Sequence, residues 1–208
     1  MAIAVGQELA YLAPMTPDRP HRQLTTAAES ALLVIDMQER LVPALVDAPV
    51  LMRSIGLLAD AARLLGVPTA VTEHCPDGIG RTAAELRDRL AHAVFADKQH
   101  FAAVHAPAFA PVMQAWRDRM IVLCGAEAHV CVAQTALGLL DAGHRVGVAV
   151  DAIGARHHDD LRIALDRLRQ AGVVPFSVEM LITEWLADAA DPRFKPLLQA
   201  IKARHALR

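Results

Sequence analysis

Met120-Ile121-Val122-Leu123-Cys124-Gly125-Ala126-Glu127-Ala128-His129-Val130-Cys131-Val132-Ala133-Gln134-Thr135 changes its periodicity halfway along. Met120 to Cys124 is a short apolar run rich in branched residues, with charge before it and Gly125 after it, the pattern of a strand covered on both faces. From Val130 the spacing is helical, with Val130, Gln134, Leu137 and Asp141 falling about one turn apart until Gly143 ends it. Strand, glycine turn and helix make one unit of an α/β sheet, and Cys131 falls in the first turn of the helix. Unpaired backbone N–H groups and the helix dipole there favour a thiolate, and they can hold the oxyanion formed when sulfur attacks a carbonyl. Cys131 is therefore the candidate nucleophile, with an alkylation midpoint expected below the ~8.5 of a free thiol. A cysteine buried for packing is the commoner reading of a lone thiol. The choice depends on what else the chain brings to the same place.

Upstream, Ala31-Leu32-Leu33-Val34-Ile35-Asp36 is an apolar run ending on a carboxylate. Helical periodicity follows from about Val50 to Leu65, capped by Gly66, and Val67 to Thr72 reads as the second strand. Residues 81–90 are helical in composition, Ala93 to Ala96 is a short strand leading into Asp97-Lys98, and residues 108–117 form another helix. Downstream lie a strand from Arg145 to Val150 ending at Asp151, a helix from about Asp159 to Gln170, a strand from Val173 to Phe176 and a helix from Val178 to Ala187. Six strands separated by helices, with no tight hairpin signals, imply a mostly parallel, doubly wound α/β sheet with helices on both faces.

In such a sheet the strand C-terminal ends share one edge, and ligands bind there at the switch in strand order. In the order 3-2-1-4-5-6, Asp36 and Cys131 flank the switch. Lys98, two strands from Asp36, has about 10 Å to cross at ~4.8 Å per strand. A lysine can cover much of that distance and an aspartate cannot. An acid, a cation and a thiol on one edge outweigh the packing reading of the cysteine.

At 208 residues and 54% apolar, the chain can bury one core that hides about 70% of its extended surface. Residues 1–28, with Pro14, Pro17 and Pro20, read as an extended arm, free to wrap a neighbouring subunit or to stay loose, ahead of a single domain over 29–208. The net charge of −2 gives no pointer to nucleic acid or an anionic membrane. Three cysteines without a C-x-x-C pair fit reduced thiols in a cytoplasmic protein. The N-terminus makes a poor signal peptide, and no run reaches the ~18–20 apolar residues of a membrane span. Glu73-His74 lacks the third ligand a zinc site requires, and His157-His158 opens an acidic helix start, so neither a metal nor any other cofactor is expected. Val178, Met180, Leu181, Ile182, Trp185 and Leu186 crowd more than one helix face, which suggests a homo-oligomer.

Taken together, Leu32-Leu33-Val34-Ile35-Asp36-Met37-Gln38, Thr72-Glu73-His74, Ala96-Asp97-Lys98, Cys124 to Val132, Ala149-Val150-Asp151-Ala152, Ser177-Val178-Glu179-Met180 and Phe194-Lys195 resemble the isochorismatase-like cysteine hydrolases. The likeness runs over residues 29–202 and is strongest to the branch related to YcaC and the isochorismatase-domain proteins. It implies a triad on Cys131, Asp36 and Lys98, an oxyanion hole from the backbone of Glu127 and Cys131, and a cis peptide near Ala126-Glu127. True isochorismatases cleave a vinyl ether and generally lack the cysteine, so its presence favours acyl transfer. Nicotinamidases hold a metal through Asp-x-His where this chain has Thr72-Glu73-His74.

Gln38, His74 and His100 are the candidate pocket residues. The expected activity is cysteine-dependent cleavage of a C–N bond in a small amide, carbamoyl or ureido substrate, with Asp36 as base. Asp36→Asn or Lys98→Ala is expected to abolish turnover with the fold kept. The alternatives are a vinyl ether hydrolase and a non-catalytic oligomeric scaffold that retains the triad.

Overall fold

The structure, a computed structural model, describes residues 24–206. Elements run in the order β1 (Ser30–Ile35), α1 (Ala48–Leu65), β2 (Thr69–His74), α2 (Pro76–Ile79), α3 (Ala84–Arg89), β3 (Val94–Lys98), α4 (Ala110–Ala115) and β4 (Met120–Ala126). A π-turn over Ala128–Val132 leads into α5 (Ala133–Asp141), followed by β5 (Arg145–Gly154), α6 (His158–Gln170), β6 (Val174–Phe176), α7 (Val178–Leu186) and α8 (Phe194–Ala206). The strands form one sheet in the order β3-β2-β1-β4-β5-β6, and every ladder is parallel. Parallel neighbours need crossovers, and the helices that make them cover both faces.

Burial on two faces explains the unbroken apolar runs. Successive strand residues point to opposite sides: Leu32 and Val34 pack with α1, α7 and α8, while Ala31, Leu33 and Ile35 pack with α4, α5 and α6. Helix α1 turns Leu51, Ile55, Leu58, Ala62 and Leu65 inward at three- and four-residue steps, and it stops at Gly66, whose φ of 72° closes the last turn.

Gly125 is demanded by close approach. Its φ is +121°, and a Cβ there would lie 2.1 Å from the Ile35 carbonyl oxygen, so β4 meets β1 with no room for a side chain. Gly125→Ala is expected to cost ~3 kcal/mol or more through backbone strain and overpacking. Urea unfolding of the variant checks it, and a loss under ~1 kcal/mol would mean the two strands part easily.

Three expectations change here. Strand β5 runs four residues past Val150, after a register shift against β4 between Leu123 and Gly125. Helix α8 has no counterpart in the sequence reading; Pro196 and a weakly amphipathic pattern conceal it, yet Leu197 and Ile201 are buried against the α1 face. The apolar crowd on α7 is absorbed within the chain. Val178, Leu181, Ile182, Trp185 and Leu186 are buried in its own core, with Met180 alone of the six exposed, so these side chains give no reason for a subunit interface.

Most of the proposed arm lies outside the described residues. Of its last residues, Thr25 is tied to the domain, its N–H donating to Glu184 at 2.8 Å and its hydroxyl 2.8 Å from Ser30.

Candidate active site

Asp36 is the first residue beyond β1, at φ 51°, with its N–H on the Thr72 carbonyl. Its carboxylate is wholly buried. Oδ1 accepts from the Thr72 hydroxyl at 2.8 Å and Oδ2 from Lys98 Nζ at 2.6 Å. Lys98 ends β3 and reaches across β2, and its Nζ also lies 3.5 Å from Cys131 Sγ. The lysine therefore joins acid and thiol, and the strand order supplies the reason for its length. All three residues are withdrawn from solvent, Cys131 being 4% exposed and Lys98 3%.

Cys131 sits in the π-turn rather than the first turn of an α-helix. The bend before it is made by Glu127 in the left-handed region, at φ 55° and ψ 73°; the described residues contain no cis peptide, contrary to expectation. The expected depression of the thiol also fails. Burial and the adjoining Asp36 carboxylate, opposed only in part by Lys98, push the Cys131 thiol up to about 12. At that value the sulfur at neutral pH is a thiol, lying beside the Asp36 carboxylate. Cys124 is also pushed up by burial and lies in the core, whereas Cys75 is exposed.

The pocket candidates divide. Gln38 is fully buried and spends its amide on the backbone: Nε2 donates to the carbonyls of His74 and Gly80, and Oε1 accepts from the His74 N–H. It braces the loop after β2. The His74 ring stacks on Phe101 at 5.3 Å; burial and the nearby Lys98 charge hold it below the usual imidazole range, so it is neutral at pH 7. His100 is exposed, edge-on to His105 at 6.0 Å.

Glu73 and His74 point to opposite sides because they are consecutive in a strand. The Glu73 carboxylate, 1% exposed, is taken by Thr82, Arg81 and Arg87. Burial alone would raise it, but the bonds from Arg81 and Thr82 outweigh that and hold it below the usual carboxylate range.

Two residues that the sequence reading did not single out take part. Thr72 holds the second oxygen of Asp36; its place on β2, paired with Ile35, was the available signal. Arg156 grips Glu127, with Nε 3.1 Å from Oε1 and Nη2 3.1 Å from Oε2. A cleft of about 830 Å³ between α1, α3 and α8 is lined by residues such as Met52, Leu86 and Ala200 and by no member of the Asp36–Lys98–Cys131 cluster.

Comparison with known proteins gives the family and the fold. The Isochorismatase domain family matches residues 30–180. The chain is 35% identical over 176 residues to isochorismatase domain-containing protein 1 of Salmo salar, covering 85% of this chain and 62% of that protein. Among solved structures it is similar to one described as the MAR1 ribonuclease of Caenorhabditis elegans, with 34% identity, a TM-score of 0.80, and coverage of 86% of this chain and 92% of that one. It shares its fold with YcaC of Escherichia coli, with 22% identity, a TM-score of 0.83, and coverage of 91% and 96%; that protein is described as an octameric hydrolase of unknown specificity.

Proposed function

The chain belongs to the isochorismatase-like hydrolase family, and on that premise we propose that it hydrolyses a C–N bond of a small amide, carbamoyl or ureido compound through a thioacyl intermediate on Cys131. The observation that carries the reading is the Lys98 ammonium within hydrogen-bond distance of both Asp36 and Cys131 in a fully buried setting. A cation there favours negative charge on sulfur once the proton leaves, and Asp36 is the base beside it.

Sulfur attacks the carbonyl carbon, its proton passes to Asp36, and the carbonyl electrons move to oxygen. Backbone N–H groups of Glu127 and Cys131 hold that oxyanion. The C–N bond then breaks, and the departing amine takes the proton from Asp36. Water gives a proton to Asp36 as it attacks the thioester, the C–S bond breaks, and the proton returns to sulfur. A thiol only 4% exposed suits a small substrate. No metal or other cofactor enters these steps.

The test is ammonia release from a panel of small amides and ureides by the native chain and by Cys131→Ser. Release lost with the thiol supports the reading. Release that survives, or hydrolysis of a vinyl ether instead, overturns it. Cleavage of RNA, suggested by the description of the C. elegans neighbour, is distinguished by adding an oligoribonucleotide to the panel. No release from any compound, with Cys131 inert, would favour the scaffold.

Homo-oligomerisation is part of the same reading, supported by the octamer described for YcaC. Light scattering is expected to give a multiple of 22.4 kDa, and a stable monomer at micromolar concentration would contradict it.

A further inference from the structure

We infer that Arg156 is a positioning residue for the oxyanion hole, acting through Glu127; the inference rests on Cys131 as nucleophile and on the backbone donors of Glu127 and Cys131. Glu127 is the pivot of the nucleophile's turn. Its carbonyl accepts from Val130 N–H at 2.9 Å and Val132 N–H at 3.2 Å, which brackets Cys131. Its φ of 55° is a conformation that residues with a side chain rarely hold without support. The support is its side chain. Its carboxylate, 9% exposed, is gripped by two nitrogens of Arg156, which leaves β5 on the way to α6.

A two-pronged guanidinium fixes the orientation of a carboxylate as well as its charge. Helix α6 adds a weaker tie to the same turn, His129 Nε2 lying 3.8 Å from Asp160 Oδ2. Without Arg156 a nearly buried carboxylate loses its partner. Turning toward water relieves it, and that motion rotates the Glu127 peptide out of the left-handed region. The thiol, held by Asp36 and Lys98 from other strands, stays where it is. Arg156 therefore governs the Glu127 donor and not the sulfur.

Two alkylating reagents separate these effects. Iodoacetamide forms the S–C bond as the C–I bond breaks, and iodide carries the charge away. Acrylamide forms the S–C bond at its terminal carbon, its double-bond electrons shift onto the amide oxygen, and the enolate then takes a proton at carbon. Only the second reaction builds negative charge on a carbonyl oxygen.

The measurement is the rate of Cys131 modification by each reagent, read by peptide mass spectrometry, in the native chain, Arg156→Ala and Arg156→Lys. Loss of one oxyanion donor typically costs ~10²–10³ in an acyl transfer, and an enolate carries less charge. A fall of ~10-fold or more in the acrylamide-to-iodoacetamide rate ratio is therefore expected for Arg156→Ala. Arg156→Lys, which keeps the charge and loses the fork, should fall between. Glu127→Gln lowers the same ratio and serves if Arg156→Ala fails to fold. An unchanged ratio, whether both rates drop together or neither moves, overturns the inference and leaves the function reading standing. Native Cys131 inert to both reagents even at pH 10, while exposed Cys75 labels, overturns the function reading and the inference with it.

Discussion

Asp36→Asn will abolish turnover and at the same time make Cys131 easier to alkylate at neutral pH. Asparagine keeps the shape of aspartate but cannot accept the thiol proton, so the chemical step loses the ~10²–10⁴ that a positioned base contributes. The thiol responds the other way. After burial, the Asp36 carboxylate is the largest influence holding the Cys131 proton in place, and Lys98 opposes it. Removing the carboxylate takes away the negative charge that holds the proton on sulfur, so the thiol becomes more acidic. Its removal also leaves the buried Lys98 ammonium without its partner, so a loss of stability accompanies the change.

With the native thiol pushed up to about 12, iodoacetamide labelling of the native chain rises about tenfold per pH unit from 7 to 10, without levelling off, because only thiolate reacts. In Asp36→Asn the curve moves to lower pH and the neutral rate rises. The check is the alkylation rate at Cys131 against pH, beside turnover. Both falling together would mean that Asp36 positions the sulfur and does not take its proton.

Lys98→Ala will lower both quantities and the stability as well. Its ammonium supplies the charge that favours thiolate, so labelling at neutral pH slows and recovers as pH rises. The sequence-based expectation of an intact fold does not survive the burial seen here. Lys98 and Asp36 side chains are both 0% exposed, and removing Lys98 leaves a buried carboxylate with only the neutral Thr72 hydroxyl and Cys131 thiol beside it. That typically costs ~3–5 kcal/mol. Urea unfolding and labelling together check it. A native pH profile with native stability would place Lys98 outside the site.

The strand ends explain why so much was legible in one dimension. Asp36, Lys98 and Cys131 each follow an apolar run, and a parallel sheet leaves few other places for such residues to meet. The order 3-2-1-4-5-6 then required a long side chain at position 98, as found. What stayed hidden depends on atoms rather than on spacing. The thiol's acidity is decided by burial and a neighbouring carboxylate, and helix position alone pointed the wrong way. Thr72 reads as an ordinary strand residue until β2 is placed beside β1. Arg156 lies 29 residues from Glu127 along the chain, with nothing local to link them. The apolar face of α7 read as unpartnered because α8, which covers part of it, carries too weak a pattern to announce itself.

The most direct measurement is peptide mass mapping of the native chain after rapid acid quench during turnover of any amide or ureide it hydrolyses. The expected result is the acyl mass of the substrate on Cys131 and on neither Cys75 nor Cys124, with no such adduct and no turnover in Cys131→Ser. Steady turnover with Cys131 unmodified, or undiminished in Cys131→Ser, would contradict the thioacyl mechanism.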